Sequence, residues 1–254
     1  MAKPSPGSGA YVMLGLTALL GGGGLVAFMA FLFAGSPEIV SLGMNGREAL
    51  WWDAALCAAF FIQHSVMVRR PFRRGLVRLV PGEYASAVYA ISSGVVLLAM
   101  AALWQKSSET LVLLPEPFRW LLHVTFLLSL AGFFWGTRAL GVFDPFGIRP
   151  ILGRLRGVSP KGVPFTVKGP YRIVRHPLYL CMILMIWSCP DLTWDRVLFN
   201  ALWTGWIVIA SMLEERDLVA EFGGAYLEYQ AKVPMLIPRR PRPSASSLPT
   251  TRFL

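Results

Sequence analysis

A basic loop turns into an apolar helix in the stretch Lys168-Gly169-Pro170-Tyr171-Arg172-Ile173-Val174-Arg175-His176-Pro177-Leu178-Tyr179. Gly169-Pro170 marks a turn, and Pro177 suits the first turn of a helix, where its missing N–H costs nothing. The pattern predicts that a helix begins near His176. Its unpaired N–H groups and the neighbouring cationic side chains favour an anionic group. On charge alone, a juxtamembrane anchor for lipid headgroups explains the stretch equally well.

The composition is typical of a membrane protein. Of the 254 residues, 55% are hydrophobic and only 15% are charged, and the mean hydropathy is +0.54, which is too apolar for an ordinary soluble domain. The net charge of +10 lies at the edges of apolar segments, which favours lipid headgroups and argues against nucleic acid. Cys57, Cys181 and Cys189 show no CxxC spacing, so we expect neither disulfides nor a metal site.

Six apolar segments approach the length of about 20 residues that a bilayer crossing requires. They are 10–34, 50–68, 84–104, 118–142, about 174–189 and about 192–213. The fifth is short, and the break at Ser188-Cys189-Pro190-Asp191 predicts that the last two form a tight helical hairpin. The sequence therefore predicts an all-α, polytopic integral membrane bundle of about five or six transmembrane helices, with a cytoplasmic C-terminal segment.

The basic residues predict the orientation. They concentrate after the second segment, after the fourth and beyond the sixth, whereas the opposite loops hold Arg47, Lys106 and Arg196. The positive-inside rule then places both termini in the cytoplasm. The run 10–34 is too long for the core of a signal peptide, and we expect it to be a retained span.

Four parts of the chain follow from this reading. Residues 1–9 form an N-terminal tail, 10–142 a transmembrane half of four helices, 143–238 a C-terminal half with the helical hairpin, and 239–254 a disordered basic tail rich in Pro and Ser. The four glycines Gly21 to Gly24 in the first span are best explained by close helix packing.

Two groups of polar residues are candidates for chemistry. Gln63-His64-Ser65 follows an apolar run near the predicted cytoplasmic end of the second segment, and polar residues at that depth are functional candidates, although an interfacial hydrogen-bonding belt is an equal alternative. Glu214-Glu215 follows the last span and runs against the basic trend of that face. These acids need a partner, which is either Arg172 or Arg175 in a structural ion pair or a cationic group of a ligand.

The C-terminal half resembles integral-membrane methyltransferases of the isoprenylcysteine carboxyl methyltransferase and phospholipid methyltransferase superfamily. The resemblance rests on the motif of residues 169–179, on Glu214-Glu215 about 35 residues later, and on Phe222-Gly223-x-x-Tyr226-x-x-Tyr229 with Pro234-x-x-Ile237-Pro238. Residues 63–67, Trp104-Gln105 and 143–149 resemble the bacterial branch that contains methanethiol S-methyltransferase and its NnrU-like relatives. Two features depart from the pattern: Cys181 replaces a small residue, and 81–88 lacks an acidic-basic pair.

The resemblance implies that S-adenosylmethionine binds at the cytoplasmic mouth, and no GxGxxG motif after a strand offers a soluble Rossmann route to that cofactor. Arg175, His176 and the helix N-terminus suit its carboxylate, and Glu214 or Glu215 its ammonium. Ring faces of Tyr171, Tyr179 and Tyr226 suit its adenine or sulfonium. The implied cofactor-binding residues are Tyr171, Arg175, His176, Pro177, Leu178, Tyr179, Glu214, Glu215 and Tyr226.

The implied reaction is methylation of a small thiol, methanethiol to dimethyl sulfide, at a bacterial cytoplasmic membrane. His64 is the candidate group that helps to form the thiolate, with Arg149 second, and Asp144 is expected to cap a loop or pair with Arg149. A lipophilic acceptor, such as a prenylated cysteine carboxylate or an aminophospholipid, is the second enzymatic reading. A non-catalytic NnrU-like membrane protein is the third. We expect contact with membrane lipids and predict no protein partner.

Overall fold

The computed structural model describes residues 6–141, 144–157 and 165–239. Val142 and Phe143, much of the predicted loop between the fourth and fifth segments, and the tails at 1–5 and 240–254 lie outside the described residues. The elements are α1 Pro6–Leu16, a π-helical segment Thr17–Gly22, α2 Gly23–Ala34, α3 Gly46–Val68, α4 Arg70–Leu76, a 3₁₀ turn Gly82–Tyr84, α5 Ala85–Leu103, β1 Thr110–Leu113, α6 Glu116–Leu140, α7 Ile148–Leu155, a 3₁₀ turn Gly169–Arg172, α8 Pro177–Ile186, β2 Asp191–Thr193, α9 Trp194–Phe222 and α10 Gly224–Lys232.

The predicted all-α membrane architecture is confirmed. Within the described ranges, four helical stretches are long and apolar enough to cross a bilayer: Gly7–Ala34, Gly82–Leu103, Glu116–Leu140 and Trp194–Phe222. The helix α3 has 23 residues but carries Arg47, Glu48 and Asp53. The short predicted fifth segment is the apolar helix α8, of only 10 residues. The protein is therefore an integral membrane helical bundle.

The last long helix extends further than the sequence pattern predicted. We expected a span that ends near Leu213, but α9 continues to Phe222. Glu214 and Glu215 therefore lie inside a helix rather than in the segment after it. The last residues of α9 include Glu, Arg, Leu, Val and Ala and are mostly good helix formers. The helix therefore continues after the apolar run has ended.

The chain divides into two compact units, the first made of residues 1–113, 144–161 and 191–199. In this unit α5 packs against α2, α3 and the π-helical segment. Gly24 and Gly94 allow the closest approach, because a Cβ added to Gly24 would lie 2.3 Å from the Gly94 carbonyl oxygen. Of the four-glycine run, Gly21 also packs closely, against Ala90, whereas Gly22 and Gly23 have open space around them.

Buried polar side chains tie the loop after α5 to its surroundings in the first unit. The indole Nε1 of Trp104 donates to Oδ2 of Asp195 at 2.9 Å. The backbone N–H of Gln105 donates to Oδ1 of Asp53 at 3.0 Å. A short antiparallel pair of strands, β1 and β2, lies nearby in sequence and joins Thr110 to Thr193 in its register. The sequence pattern did not predict this pair, because three- and four-residue strands carry almost no periodic signal.

The second unit comprises residues 114–143, 162–190 and 200–254. Its helix α8 packs along α6, where Gly136 lets it approach: a Cβ there would lie 2.6 Å from Cδ2 of Leu178. The predicted hairpin of α8 and α9 is also present. His176 meets Glu215 at one end and Trp187 Nε1 donates to Thr204 at the other. These two contacts lie eleven residues apart on each helix, which is the constant register of an antiparallel pair.

Candidate functional site

The helix α8 begins where the sequence predicted. Gly169–Arg172 forms a 3₁₀ turn, with Gly169 at a φ of 53°, and Pro177 occupies the first helical position after His176. Pro177 has no N–H to lose and its φ is fixed near the helical value, so it starts the helix at little cost. Local sequence alone therefore sets the position at which Arg175 and His176 leave the turn.

Arg175 and Glu215 form a two-point ion pair in the second unit. The guanidinium Nε lies 2.5 Å from Glu215 Oε1 and Nη2 lies 2.9 Å from Oε2. The amide of Gln230 donates to the same Oε2 at 2.8 Å. The side chains of Arg175 and Glu215 are only 11% and 12% exposed. Of the two partners that the sequence left open for the acids, Glu215 has the structural one.

The same arginine holds the last turn of α10 and the residues that follow it. Its Nη1 donates to the carbonyl oxygens of Gln230 at 3.0 Å and Val233 at 2.5 Å. The backbone N–H groups of Arg175 and His176 donate to the carbonyls of Pro234 and Met235. Residues 230–235 are therefore held across the start of α8 by both side-chain and backbone hydrogen bonds, and they are called the strap below.

His176 lies between the two acids. Its Nε2 is 3.0 Å from Glu215 Oε1, its Nδ1 is 3.8 Å from Glu214 Oε2, and its ring stacks on Tyr179 with centroids 5.4 Å apart. The imidazole side chain is 5% exposed, whereas that of Glu214 is 45% exposed. Glu214 is thus the more exposed carboxylate of this group.

Aromatic side chains pack beside the ion pair. Phe165 contacts the rings of Phe222, Tyr226 and Tyr229, and Tyr229 Oη donates to the carbonyl of Tyr171 at 2.6 Å. Burial raises the pKa of Tyr226 and Tyr229, so both phenols are neutral. Tyr226 is 2% exposed, and its hydroxyl is hydrogen-bonded to Arg175. Its ring was expected to offer a face to the cofactor, but it packs within this aromatic cluster.

A groove adjoins these residues. This groove of about 470 Å³ is lined by Met212, Glu215, Arg216, Val219 and Gln230, which falls within the size range of small-molecule sites. The half-buried Tyr171 lies on the Glu214 side, where burial, the charge of Glu214 and the Cys181 thiol raise its pKa. The implied cofactor-binding residues of the sequence thus lie together in the second unit, with Pro177 buried and Leu178 against α6.

The two implied catalytic residues lie in the first unit. His64, on α3, contacts the hydroxyl of Tyr89 on α5, and the adjacent Gln63 contacts Ser93. Arg149 is an exposed residue in the first turn of α7. Asp144 accepts hydrogen bonds from the backbone N–H groups of Ile148, at 3.1 Å, and Arg149, at 2.7 Å, at the start of α7. The sequence predicted that Asp144 caps a loop or pairs with Arg149, and it did not predict this helix.

Sequence reasoning missed four residues around these sites. Gln230, which completes the hydrogen bonds of Glu215, lies on a mostly polar helix and carries no signal of its own. Tyr89 and Ser93 are four residues apart on one face of the apolar α5, which was a usable signal. Gly136 belongs to a Gly132-x-x-x-Gly136 pattern in α6, which indicates close helix packing in membranes.

Comparison with known proteins identifies the family. The model of the NnrU protein family matches residues 54–217. A methanethiol S-methyltransferase from a Pseudomonas species is 34% identical over 91% of this chain and 87% of its own. Methanethiol S-methyltransferase 2 of Bradyrhizobium diazoefficiens is 35% identical over 80% and 79%, and Nurim of Rattus norvegicus is 25% identical over 67% and 68%. No solved structure matches the chain. The chain belongs to the NnrU family of membrane proteins, in the branch that contains the methanethiol S-methyltransferases.

Proposed function

We propose that this protein transfers a methyl group from S-adenosylmethionine to the sulfur of a small thiol such as methanethiol, which gives dimethyl sulfide. The observation that carries the proposal is the similarity, over 91% of the chain, to a protein named methanethiol S-methyltransferase. The residues of the second unit support it because they suit a ligand that bears a carboxylate, an ammonium, a sulfonium and an adenine.

The half-exposed carboxylate of Glu214 would receive the ammonium. Glu215, held by Arg175 and Gln230, would keep its orientation and form one wall of the site. The exposed Arg216, beside Glu215 in the lining of the groove, suits a carboxylate. The ring faces of Tyr171 and Tyr179 suit the adenine or the sulfonium. Arg175, His176 and Tyr226 then act mainly by holding these groups in place.

When bound, S-adenosylmethionine supplies a methyl carbon on a sulfonium sulfur, so that a new carbon–sulfur bond forms as the old one breaks and the electron pair stays on the departing sulfur. The chain's part is to align the acceptor, exclude water and take up one proton. The attack neutralises charge, so no oxyanion has to be stabilised. We assign the thiol proton to His64, with Arg149 as the alternative cation that favours the thiolate.

The protein is an integral membrane protein, and we place it in the bacterial cytoplasmic membrane with both termini in the cytoplasm. The basic loops support this orientation. Addition of a membrane-impermeant thiol reagent to single-cysteine variants with the new cysteine at Arg78 or Lys106 tests it. Labelling of Lys106→Cys but not Arg78→Cys in intact cells is expected, and the reverse pattern would overturn the orientation.

Calorimetry tests the cofactor. Purified protein in detergent should bind S-adenosylhomocysteine, the demethylated product, with one site per chain, and Glu214→Gln should weaken that binding. Absence of any heat of binding for both the product and S-adenosylmethionine would refute every methyltransferase reading and favour the non-catalytic one. If binding is present but thiols are not methylated, a lipophilic acceptor becomes the reading to test.

A further inference from the structure

Four polar side chains meet between two helices in the first unit. Gln63 and His64 lie on α3, and Tyr89 and Ser93 lie on α5, with mostly apolar residues around them. Polar groups within apolar membrane helices are expensive to retain, so they mark functional sites by default. The name polar cluster is used below for Gln63, His64, Tyr89 and Ser93.

Tyr89 fixes the position of the His64 ring. Its hydroxyl oxygen lies 2.9 Å from Nδ1 and 2.8 Å from Nε2 of the imidazole. The two rings are tilted at 59° with centroids 5.2 Å apart, and Phe60, one turn earlier on α3, contacts the imidazole at 5.2 Å. A tyrosine and a phenylalanine thus hold the imidazole by contact and hydrogen bonding, which limits its rotation.

Ser93 and Gln63 continue the hydrogen bonds. Ser93 is hydrogen-bonded to the Tyr89 hydroxyl, and Nε2 of Gln63 donates to Ser93 Oγ at 3.3 Å and to the sulfur of Met67 at 3.0 Å. The other amide atom of Gln63, Oε1, is buried and has no hydrogen-bond partner among the described residues. A buried acceptor without a donor is costly, and such groups persist where a ligand completes them.

We propose that the polar cluster is the site of the thiol acceptor and that Tyr89 is the positioning residue for His64 within it. This inference rests on the proposed thiol methylation. The ligand it fits is a small thiol, whose single S–H is a weak donor that either an imidazole nitrogen or the Gln63 amide oxygen can accept. The mostly apolar residues of α3 and α5 beside the cluster suit the short alkyl group of such a ligand.

The thiol proton passes to His64 in a step in which every bond broken is matched by a bond formed. The Tyr89 oxygen lies within hydrogen-bond distance of both ring nitrogens, and in the neutral imidazole one of them carries the hydrogen while the other keeps a lone pair. The thiol S–H bond breaks, its proton forms an N–H bond on that nitrogen, and the electron pair remains on the sulfur for attack on the methyl carbon. The Tyr89 oxygen stabilises the imidazolium as it forms, because a hydrogen bond from a charged donor is stronger.

Tyr89→Phe separates this role from packing, since it removes only the hydroxyl. We expect kcat/KM for methanethiol to fall about tenfold, a fraction of the hundredfold to ten-thousandfold that a proton-transfer group as a whole contributes, with unchanged binding of S-adenosylhomocysteine. The loss should shrink for a more acidic thiol such as trifluoroethanethiol, which forms its thiolate unaided. In a His64→Ala background, Tyr89→Phe should have no further effect. Tyr84→Phe, a half-buried tyrosine earlier on the same stretch, is the matched control and should behave as wild type.

Gln63→Leu is the second variant. Because Gln63 is the proposed acceptor-binding residue, its replacement should raise the KM for methanethiol severalfold and leave kcat almost unchanged. Were its role structural only, removal of a buried unpartnered amide would leave KM unchanged and make the protein more stable. The KM of Gln63→Leu still tests the proposal when Tyr89→Phe accumulates poorly in the membrane.

The results separate the two proposals. A wild-type protein that methylates thiols while Tyr89→Phe acts equally on all of them, or lowers activity additively with His64→Ala, overturns the inference and leaves the proposed function standing. An unchanged KM in Gln63→Leu overturns its acceptor-binding half. A wild-type protein that methylates no thiol overturns both.

Discussion

The guanidinium of Arg175 binds the carboxylate of Glu215 at two points, 40 residues apart in sequence, and so joins the start of α8 to the C-terminal part of α9. The same side chain bonds two carbonyls of the strap at 230–235. One arginine therefore joins three segments of the second unit, and its first role is to build the site.

Arg175→Lys should destabilise the protein. A lysine keeps the charge but loses the planar fork that serves Glu215 and two carbonyls, and hydrogen bonds to charged groups are worth about 1.5–3 kcal/mol each in such settings. Thermal unfolding in detergent should show a clear drop in Tm. Arg154→Lys, in the more exposed pair with Glu83, is the control and should change stability by less than about 1 kcal/mol. Equal effects in both variants would contradict the structural role of Arg175.

Glu214 and Glu215 should respond differently to the same change. Glu214→Gln should leave Tm near the wild-type value and weaken binding of S-adenosylhomocysteine by about tenfold to a hundredfold, the effect of one charged hydrogen bond. Glu215→Gln should lower Tm because it leaves Arg175 with a neutral partner. Calorimetry and thermal unfolding on both variants measure the contrast. If Glu214→Gln binds normally, the ammonium lies elsewhere.

Three tyrosines, of which two are buried and one is half-buried, should make the protein sensitive to alkaline pH. Burial raises the folded-state pKa of Tyr171, Tyr226 and Tyr229 above the ordinary value of 10.0. Their contribution is fully present below pH 10 and is lost as pH rises above it, because the unfolded chain releases protons that the folded chain keeps. Each such group lowers stability by about 1.4 kcal/mol per pH unit in that window. Unfolding at pH 8 to 11 should show a shallower decline for Tyr226→Phe, and an identical slope would refute this origin.

Close packing of α6 on α8 should tolerate no added methyl group at Gly136. The Cβ of Gly136→Ala would lie 2.6 Å from Leu178, and overpacking of this kind costs about 1–3 kcal/mol. The exposed Gly205→Ala, with nothing within 4 Å, should be neutral or stabilising. Combination of Gly136→Ala with Leu178→Ala should recover part of the loss in Tm. A neutral Gly136→Ala would show that the two helices are not in close contact there.

The sequence predicted those features of the structure that depend on interactions between neighbouring residues. The start of α8 followed from Pro177, because it depends on a few neighbouring residues. The apolar segments 84–104 and 118–142 correspond to the observed stretches Gly82–Leu103 and Glu116–Leu140.

For contacts between residues that are distant in sequence, the sequence narrowed the set of possible partners but did not identify the partner. The acids at 214 and 215 clearly needed cations, yet a helix turns by about 100° per residue, so only the three-dimensional structure separates the buried Glu215 from the accessible Glu214. The spacing of Tyr89 and Ser93 already indicated a shared polar face on α5, but only the three-dimensional structure brings His64 and Gln63 into contact with that face.

Isotope transfer tests the central claim most directly. Purified protein would receive methanethiol and S-adenosylmethionine with a trideuterated methyl group, and the headspace gas would be examined by mass spectrometry. We predict dimethyl sulfide that carries one deuterated methyl group, formed in proportion to the protein and reduced in His64→Ala and Glu214→Gln. Absence of labelled dimethyl sulfide from a protein that binds the cofactor would contradict thiol methylation by this chain.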